Sequence, residues 1–149
     1  MIDEIKKLRE KTGAGVMEAK KALEEAGGDM VKAEELIRQM GIAKAEKKTD
    51  RTASAGLIYS YIHQGGKVGV ILEMNCETDF VAKNDEFVNL CKELSLQIAS
   101  MNPESVEELL EQDYIRDGSR KIKELIKELI GKVGENMQLK RFVRYELGE

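Results

Sequence analysis

The fold is decided by residues 67–76, which read Lys-Val-Gly-Val-Ile-Leu-Glu-Met-Asn-Cys. Apolar side chains occupy every second position from Val68 to Cys76, which is the pattern of a β-strand with one buried face. Residues 57–63 are rich in Tyr and Ile, and residues 64–66, Gln-Gly-Gly, supply turn residues between the two runs. The two runs therefore predict a β-hairpin.

Two helices are predicted after the hairpin. Asn84 can N-cap the first, whose apolar side chains have 4-3-4-3 spacing, and Ser119 can N-cap the second, which Gly134 closes. A short amphipathic turn is predicted between them, at residues 105–110. The apolar positions are Phe87, Cys91, Leu94, Ile98 and Met101 in the first helix, and Ile122, Leu125, Ile126, Leu129, Ile130 and Val133 in the second. Cys91 is therefore predicted to lie in the core.

A third strand is predicted at residues 138–147. Its alternation places Leu139, Val143, Tyr145 and Leu147 on one side and Lys140, Phe142, Arg144 and Glu146 on the other. Residues 56–149 are thus predicted to form an α+β core domain, in which helices cover one face of a small three-stranded antiparallel sheet.

Residues 1–41 predict a module of three short helices. Apolar residues recur at helical spacing between two glycine-containing breaks, residues 12–15 and 27–28, and Gly41 stands where a C′ glycine would end the third helix. Residues 42–55 alternate in charge and hold few large apolar residues, which indicates a partly helical linker.

Composition narrows the function. The chain has 149 residues, 42% of them apolar, and a net charge of −4, so its surface as a whole does not suit nucleic acid. It begins with Met1-Ile2-Asp3-Glu4, which lacks the basic and apolar regions of a secretory signal, and a cytoplasmic location is expected. With two cysteines, a lone His63 and no phosphate-binding loop, neither a disulfide framework, a zinc site nor an enzyme active site is indicated. His63 is expected at the surface.

The segment from Glu73 to Lys83 joins the second strand to a helix, and here the alternation fails. In one interpretation Thr78 caps a short turn, Asp79 favours its N-terminus and Phe80 folds back onto the core. In the other, Asp79 and Phe80 form an exposed wedge for a partner's pocket, because aromatic side chains are enriched at interface hot spots. Spacing alone leaves both open.

The segment from Leu8 to Leu23 is a second candidate. Its Thr-Gly-Ala-Gly run is typical of a corner between helices, where glycine satisfies the backbone geometry. A three-helix module also offers a small apolar groove for a partner helix, which such a corner can border.

Together these two segments resemble the bacterial translation elongation factor Ts family. The first is similar to the N-terminal signature of that family and the second to its Thr-Asp-Phe-Val core signature. Further similar stretches are Tyr61-Ile62-His63, Asn84-Asp85-Glu86-Phe87, Lys132-Val133-Gly134-Glu135-Asn136 and Arg141-Phe142-Val143-Arg144-Tyr145-Glu146-Leu147-Gly148.

The resemblance implies guanine nucleotide exchange on elongation factor Tu, the GTPase that delivers aminoacyl-tRNA to the ribosome. Asp79 and Phe80 match the residues that enter the partner's GTPase domain beside its Mg²⁺, and Thr78 and Val81 complete that motif. The N-terminal module, similar to ubiquitin-associated domains, would grip a helix of the same domain through a motif of Leu8, Arg9, Thr12, Gly13, Ala14, Gly15, Val16 and Lys20. Mg²⁺ and GDP belong to the partner, so the chain is expected to need no cofactor and to perform no covalent chemistry.

One departure from the family pattern concerns residues 102–118, where members usually carry a longer insertion that includes elements used in dimer contacts. Self-association is therefore left open. Two other functions compete with exchange: a protein-binding adaptor that leaves nucleotide affinity unchanged, and an RNA-binding accessory protein using Lys140, Arg141 and Arg144 with Phe142 as a stacking platform. Direct contact with nucleic acid is not expected because the net charge is negative, and no membrane contact is expected because charged residues interrupt the apolar ones too finely for a span.

Overall fold

The computed structural model describes residues 1–149 and contains seven helices and five strands. In chain order the helices are α1 (Ile2–Thr12), α2 (Val16–Glu25), α3 (Met30–Glu46), α4 (Asp79–Ala82), α5 (Asp85–Met101), α6 (Val106–Glu111) and α7 (Ile122–Val133). The strands are β1 (Ala55–Ile62), β2 (Val68–Cys76), β3 (Asp113–Tyr114), β4 (Asp117–Lys121) and β5 (Met137–Glu146). The predicted α+β class, with an N-terminal helical module, is confirmed. None of the helices is both long and apolar enough to cross a bilayer.

The main sheet is antiparallel with the order β1-β2-β5, so the predicted hairpin strand β2 lies at its centre. The alternating residues of β2 turn towards α5 and form the main core with it, as predicted: Val70, Leu72, Met74 and Cys76 are all buried. The opposite face of the sheet carries exposed apolar side chains, among them Ile58, Ile62 and Tyr145.

The side assignment predicted for β5 is wrong beyond Leu139. Glu73 pairs with Arg141 and Met74 with Leu139, so Lys140 is an extra residue in a β-bulge. A bulge shifts the two-residue alternation by one position. Phe142 therefore packs against the core instead of standing free as a stacking platform, and Val143 is exposed. Arg144 also turns inward, and its Nη2 donates to the carbonyl of Ala99 near the end of α5 at 3.1 Å.

Helix α5 begins as predicted, because the Asn84 side chain accepts the backbone N–H of Glu86 at 2.8 Å. Phe87, Cys91, Leu94 and Ile98 are fully buried. Met101, the last member of the predicted stripe, is 50% exposed because it lies in the final turn, beyond the covered part of the helix.

The two thiols, Cys76 and Cys91, are expected to be unreactive in the folded protein because both are buried. Both side chains are inaccessible to solvent, and burial raises the pKa of the Cys91 thiol to about 12. Because the thiolate is the reactive form, neither cysteine is expected to react with a thiol reagent at neutral pH while the protein is folded, and both are expected to react in denaturant. Counting modified thiols by mass spectrometry tests this, and modification of either residue in the native protein contradicts it.

The sequence does not predict the small hairpin β3–β4, because its residues are polar and carry no apolar alternation. It is held by Gln97, a fully buried residue of α5 whose side chain donates to the carbonyl of Asp113 at 3.0 Å and accepts the backbone N–H of Ile115 at 3.0 Å. Ser119 lies in β4 and is not the N-cap of α7. That helix starts at Ile122, where the Glu124 carboxylate accepts the backbone N–H of Lys121.

The N-terminal module has its own small core of Leu8, Ala19, Ala22, Leu23 and Ala33. Its third helix does not end at Gly41, as the sequence predicts, but continues to Glu46 and places Ala45 in the main core. The continuation is possible because α3 packs against α7, and packing outweighs the low helix propensity of one glycine. Gly41 and Gly131 meet at this contact, so the two backbones approach closely.

Charged side chains reinforce the contact between α3 and α7. The Arg38 guanidinium donates to Glu35 on its own helix and to Glu124 and Glu128 on α7, at 3.3 and 3.1 Å for the last two. Salt bridges of this kind stabilise modestly by themselves but fix geometry when several share one planar guanidinium. The N-terminal module is thereby held against the C-terminal part of the chain.

Candidate functional site

The connection between β2 and α5 presents Phe80 to solvent. Phe80 is 84% exposed, more than any other large apolar side chain of the protein. The four-residue helix α4 explains this, because successive residues of a helix point about 100° apart. Val81 and Ala82 turn into the core, while Asp79 and Phe80 turn outward. Of the two interpretations of this segment, the one in which Phe80 folds back onto the core is wrong.

The Thr78 cap, which belonged to that interpretation, is nevertheless present at the start of α4. The Thr78 hydroxyl oxygen accepts the backbone N–H of Val81 at 3.3 Å. The Cys76 thiol donates to the Thr78 carbonyl at 3.1 Å, and burial, with a smaller effect of the nearby Glu135 carboxylate, raises the pKa of this thiol. The thiol therefore remains a protonated donor at neutral pH.

Glu135 contacts the same turn and was not singled out as a site residue from the sequence. Its Oε1 accepts the backbone N–H groups of Glu77 and Thr78 at 3.1 and 3.0 Å, and its Oε2 accepts the Thr78 hydroxyl at 2.7 Å. Glu135 reaches this position because Gly134 ends α7 with φ of 89° and turns the chain towards β5. The only sequence signal for it is its place in the Lys132–Asn136 stretch.

The motif predicted in the N-terminal module divides into two groups, of which the first shapes the corner between α1 and α2. Leu8 and Ala14 are buried. The Thr12 hydroxyl donates to the Leu8 carbonyl at 2.7 Å and accepts the backbone N–H of Ala14 at 3.3 Å. Gly13 has φ of 74° and ends α1, a conformation that favours glycine. These four residues hold the corner rather than offer side chains to a partner.

The second group faces solvent. Gly15, Val16 and Lys20 are exposed, and Val16 and Lys20 are four residues apart on one face of α2. Val16 is 49% exposed. The exposed side chain of Arg9 bends back, with its Nε donating to the Ala14 carbonyl at 3.3 Å. The corner therefore offers an apolar and a basic side chain side by side.

Lys132 connects the N-terminal corner to the start of α5. Its side chain lies directly against Gly13, and its ammonium pairs with Glu86 in the first turn of α5 at 3.0 Å. A cleft of about 1330 Å³ is lined by this corner and by the first turn of α5, although neither Asp79 nor Phe80 lines it. The structure thus brings the N-terminal motif next to the helix that follows the Thr78–Val81 turn, but it keeps the two motifs as separate surfaces.

Sequence comparisons connect this arrangement to known proteins. A protein family described as Elongation factor TS matches residues 77–149. A protein of Thermotoga petrophila named Elongation factor Ts is 46% identical over 191 aligned positions, which cover 99% of this chain and 96% of the relative. Proteins of the same name from Coprothermobacter proteolyticus and Desulforamulus reducens are 46% and 41% identical, each across 97% of this chain, with 96% and 88% of the relative covered.

The alignment with the Thermotoga petrophila relative has 191 positions, 42 more than the 149 residues of this chain, so at least that many positions of the alignment have no residue here. The shorter chain nevertheless matches from end to end at an identity far above that of chance. It belongs to the elongation factor Ts family.

Proposed function

We propose that this chain is the guanine nucleotide exchange factor of elongation factor Tu and that it accelerates GDP release without covalent chemistry. The observation that carries the proposal is the Phe80 side chain, which stands in solvent on a turn held by four hydrogen bonds around Thr78. Aromatic side chains are enriched at interface hot spots, so an exposed Phe held on a fixed turn supports a partner surface that buries it. The family name supports a role in translation elongation, which would place the protein in the cytoplasm.

Nucleotide exchange depends on thermodynamic linkage between two ligands of elongation factor Tu, namely the exchange factor and the nucleotide. If the factor and the nucleotide with its Mg²⁺ favour different conformations of elongation factor Tu, each weakens the binding of the other by the same free energy. A nanomolar nucleotide complex has a binding free energy of about 12 kcal/mol, whereas burial of one Phe contributes about 1.5–3 kcal/mol. Phe80 therefore needs help from a second contact.

Asp79 and the N-terminal module supply that help in this proposal. The Asp79 carboxylate is exposed and makes no ion pair within the chain, so it is free to act on charged groups beside the partner's Mg²⁺. Loss of Mg²⁺ would weaken the phosphate contacts of GDP, because the cation is the largest local charge in such a site. The exposed residues of the module, Val16 and Lys20 with Arg9, would anchor the complex to the GTPase domain.

The experiment times the release of labelled GDP from elongation factor Tu with and without the intact protein. Acceleration that rises with protein concentration and then saturates is the expected result. Formation of a stable complex without faster GDP release would support the competing adaptor function and overturn the proposal.

If the N-terminal module anchors the complex and the Phe80 turn promotes GDP release, changes in the N-terminal motif should weaken binding without slowing release. Replacing both Val16 and Lys20 by Ala is expected to raise the protein concentration needed for half-maximal GDP release by about tenfold, the effect of losing about 1.4 kcal/mol of binding. The maximal rate should change little, because the Phe80 turn is untouched. Titration of the release rate measures both quantities. Lys21→Ala removes the same charge from a different face of α2 and serves as the control, and an equal effect of this change would contradict the assigned surface.

A further inference from the structure

Glu135 accepts all three of its hydrogen bonds from the turn that precedes α4. One carboxylate oxygen accepts two consecutive backbone N–H groups, those of Glu77 and Thr78, and the other accepts the Thr78 hydroxyl. Hydrogen bonds to an ionised acceptor are about twice as strong as those between neutral groups. All three bonds end within three residues of Phe80. They join the segment between α7 and β5 to the start of α4.

The bond to the Thr78 hydroxyl also sets the direction of the cap. A hydroxyl has a single proton, and when Thr78 donates it to Glu135 its lone pairs are left to accept from Val81. The carboxylate, the hydroxyl and the Val81 N–H therefore form a chain that fixes where α4 begins. Because α4 is only four residues long, its starting point determines the direction in which Phe80 projects.

A purely structural role does not account for this arrangement. The buried neighbours of the turn, Cys76 and Val81, are already placed by the core. Thr78, Asp79 and Phe80 are exposed, so water would satisfy the Thr78 N–H and hydroxyl if Glu135 were missing, and only the half-buried Glu77 N–H would lose a bond that the fold itself needs. What Glu135 adds is a single orientation of an exposed segment, which matters to a partner more than to the fold.

We propose that Glu135 is a positioning residue for nucleotide exchange: it acts through Thr78 to hold Phe80 in the orientation that the partner's nucleotide site requires. This inference rests on the proposed function. Preorganisation of this kind lowers the conformational cost that is otherwise met when the partner binds. In this proposal the N-terminal module controls the initial encounter. The orientation of Phe80 should therefore affect the later step, in which GDP leaves, more than that encounter.

The test measures GDP release from elongation factor Tu over a range of factor concentrations for the full-length protein and its variants. Glu135→Ala is expected to lower the maximal rate by about 5- to 50-fold, within the range of coupling effects between sites, and to change the half-saturating concentration less than about twofold. Glu135→Gln keeps an acceptor oxygen for the two N–H groups, but its amide nitrogen cannot accept the Thr78 proton, so its rate should lie between those of Glu135→Ala and the parent. If Glu135→Gln is slower than Glu135→Ala, the loss of these hydrogen bonds does not account for the effect and the inference is wrong.

A double variant separates this inference from the proposed function. In a Phe80→Ala background, adding Glu135→Ala should slow GDP release by a clearly smaller factor than it does in the parent, since Asp79 is then the only assigned side chain left to orient. An equal loss in both backgrounds would show that Glu135 acts independently of Phe80. If the intact protein does not accelerate GDP release, the proposed function itself fails; if it does and Phe80→Ala is equally fast, the role of Phe80 fails and the positioning role of Glu135 with it. If instead Phe80→Ala is slow and Glu135→Ala is as fast as the parent, only the positioning role is overturned.

Thermal melting checks that each variant is folded. If Glu135→Ala does not fold, Thr78→Val, which removes the hydroxyl alone, replaces it. A parent-like rate for Thr78→Val then overturns the inference.

Discussion

Phe80→Ala is expected to lower the maximal rate of GDP release from elongation factor Tu by about 10- to 150-fold, the equivalent of about 1.5–3 kcal/mol for the burial of one Phe side chain. The melting temperature should stay close to that of the parent, because a side chain that is 84% exposed contributes little to the core. Stopped-flow measurement of fluorescent GDP release at saturating factor concentration gives the rate.

Met101→Ala is the matched control for Phe80→Ala. It also truncates an exposed apolar side chain, but Met101 lies at the opposite end of the 17-residue helix α5. At about 1.5 Å per residue the two ends of α5 are about 25 Å apart. GDP release should be unaffected by Met101→Ala. Equal losses from both substitutions would indicate general surface effects and remove the role assigned to Phe80.

Gly131→Ala is expected to destabilise the protein by about 1–3 kcal/mol, the range for an added methyl group in a tightly packed contact. A Cβ at this position would lie 2.5 Å from the Gly41 Cα and 2.6 Å from its carbonyl carbon, and these are backbone atoms that cannot rotate away. Helices α3 and α7 would have to separate, which also displaces the N-terminal module. Urea denaturation measures the loss of stability, and the half-saturating concentration for GDP release should rise in parallel.

Gly41→Ala, at the other side of the same crossing, is the control. A Cβ there would be 3.7 Å from the Glu128 carbonyl oxygen and 4.0 Å from the Gly131 Cα, which are ordinary contacts. Because Ala favours helix by about 0.8–1 kcal/mol over Gly, this variant should be at least as stable as the parent. If Gly41→Ala destabilised the protein as much as Gly131→Ala, the difference in space at the two glycines would be contradicted.

The sequence predicts those parts of the fold that depend on local pattern. The alternation of β2 and the stripe of α5 each have one buried face, and both were located correctly because burial on one side leaves a periodic trace. The exposed position of Phe80 was only one of two interpretations. The pattern of adjacent apolar residues, Phe80 and Val81, does not show which of the two enters the core until the starting point of α4 is known.

Contacts distant in sequence account for what the pattern could not predict. The bulge at Lys140 depends on how β5 pairs with β2, and the continuation of α3 through Gly41 depends on a partner glycine ninety positions later. Glu135 is likewise separated from Thr78 by 57 residues. A carboxylate that accepts backbone N–H groups leaves no periodic trace, so only the three-dimensional structure distinguishes Glu135 from the other acidic residues of the chain.

The glycine crossing between α3 and α7 also has a thermodynamic consequence for recognition. Two binding surfaces joined by a loose tether lose much of their joint advantage to the many separations that the tether allows, whereas a fixed separation gives a high effective concentration of the second surface once the first has bound. With α2 and the Phe80 turn carried on one framework, the proposed partner is selected by the spacing of its two contact points as well as by their chemistry. A GTPase with similar contact points at another spacing would gain no avidity from this protein.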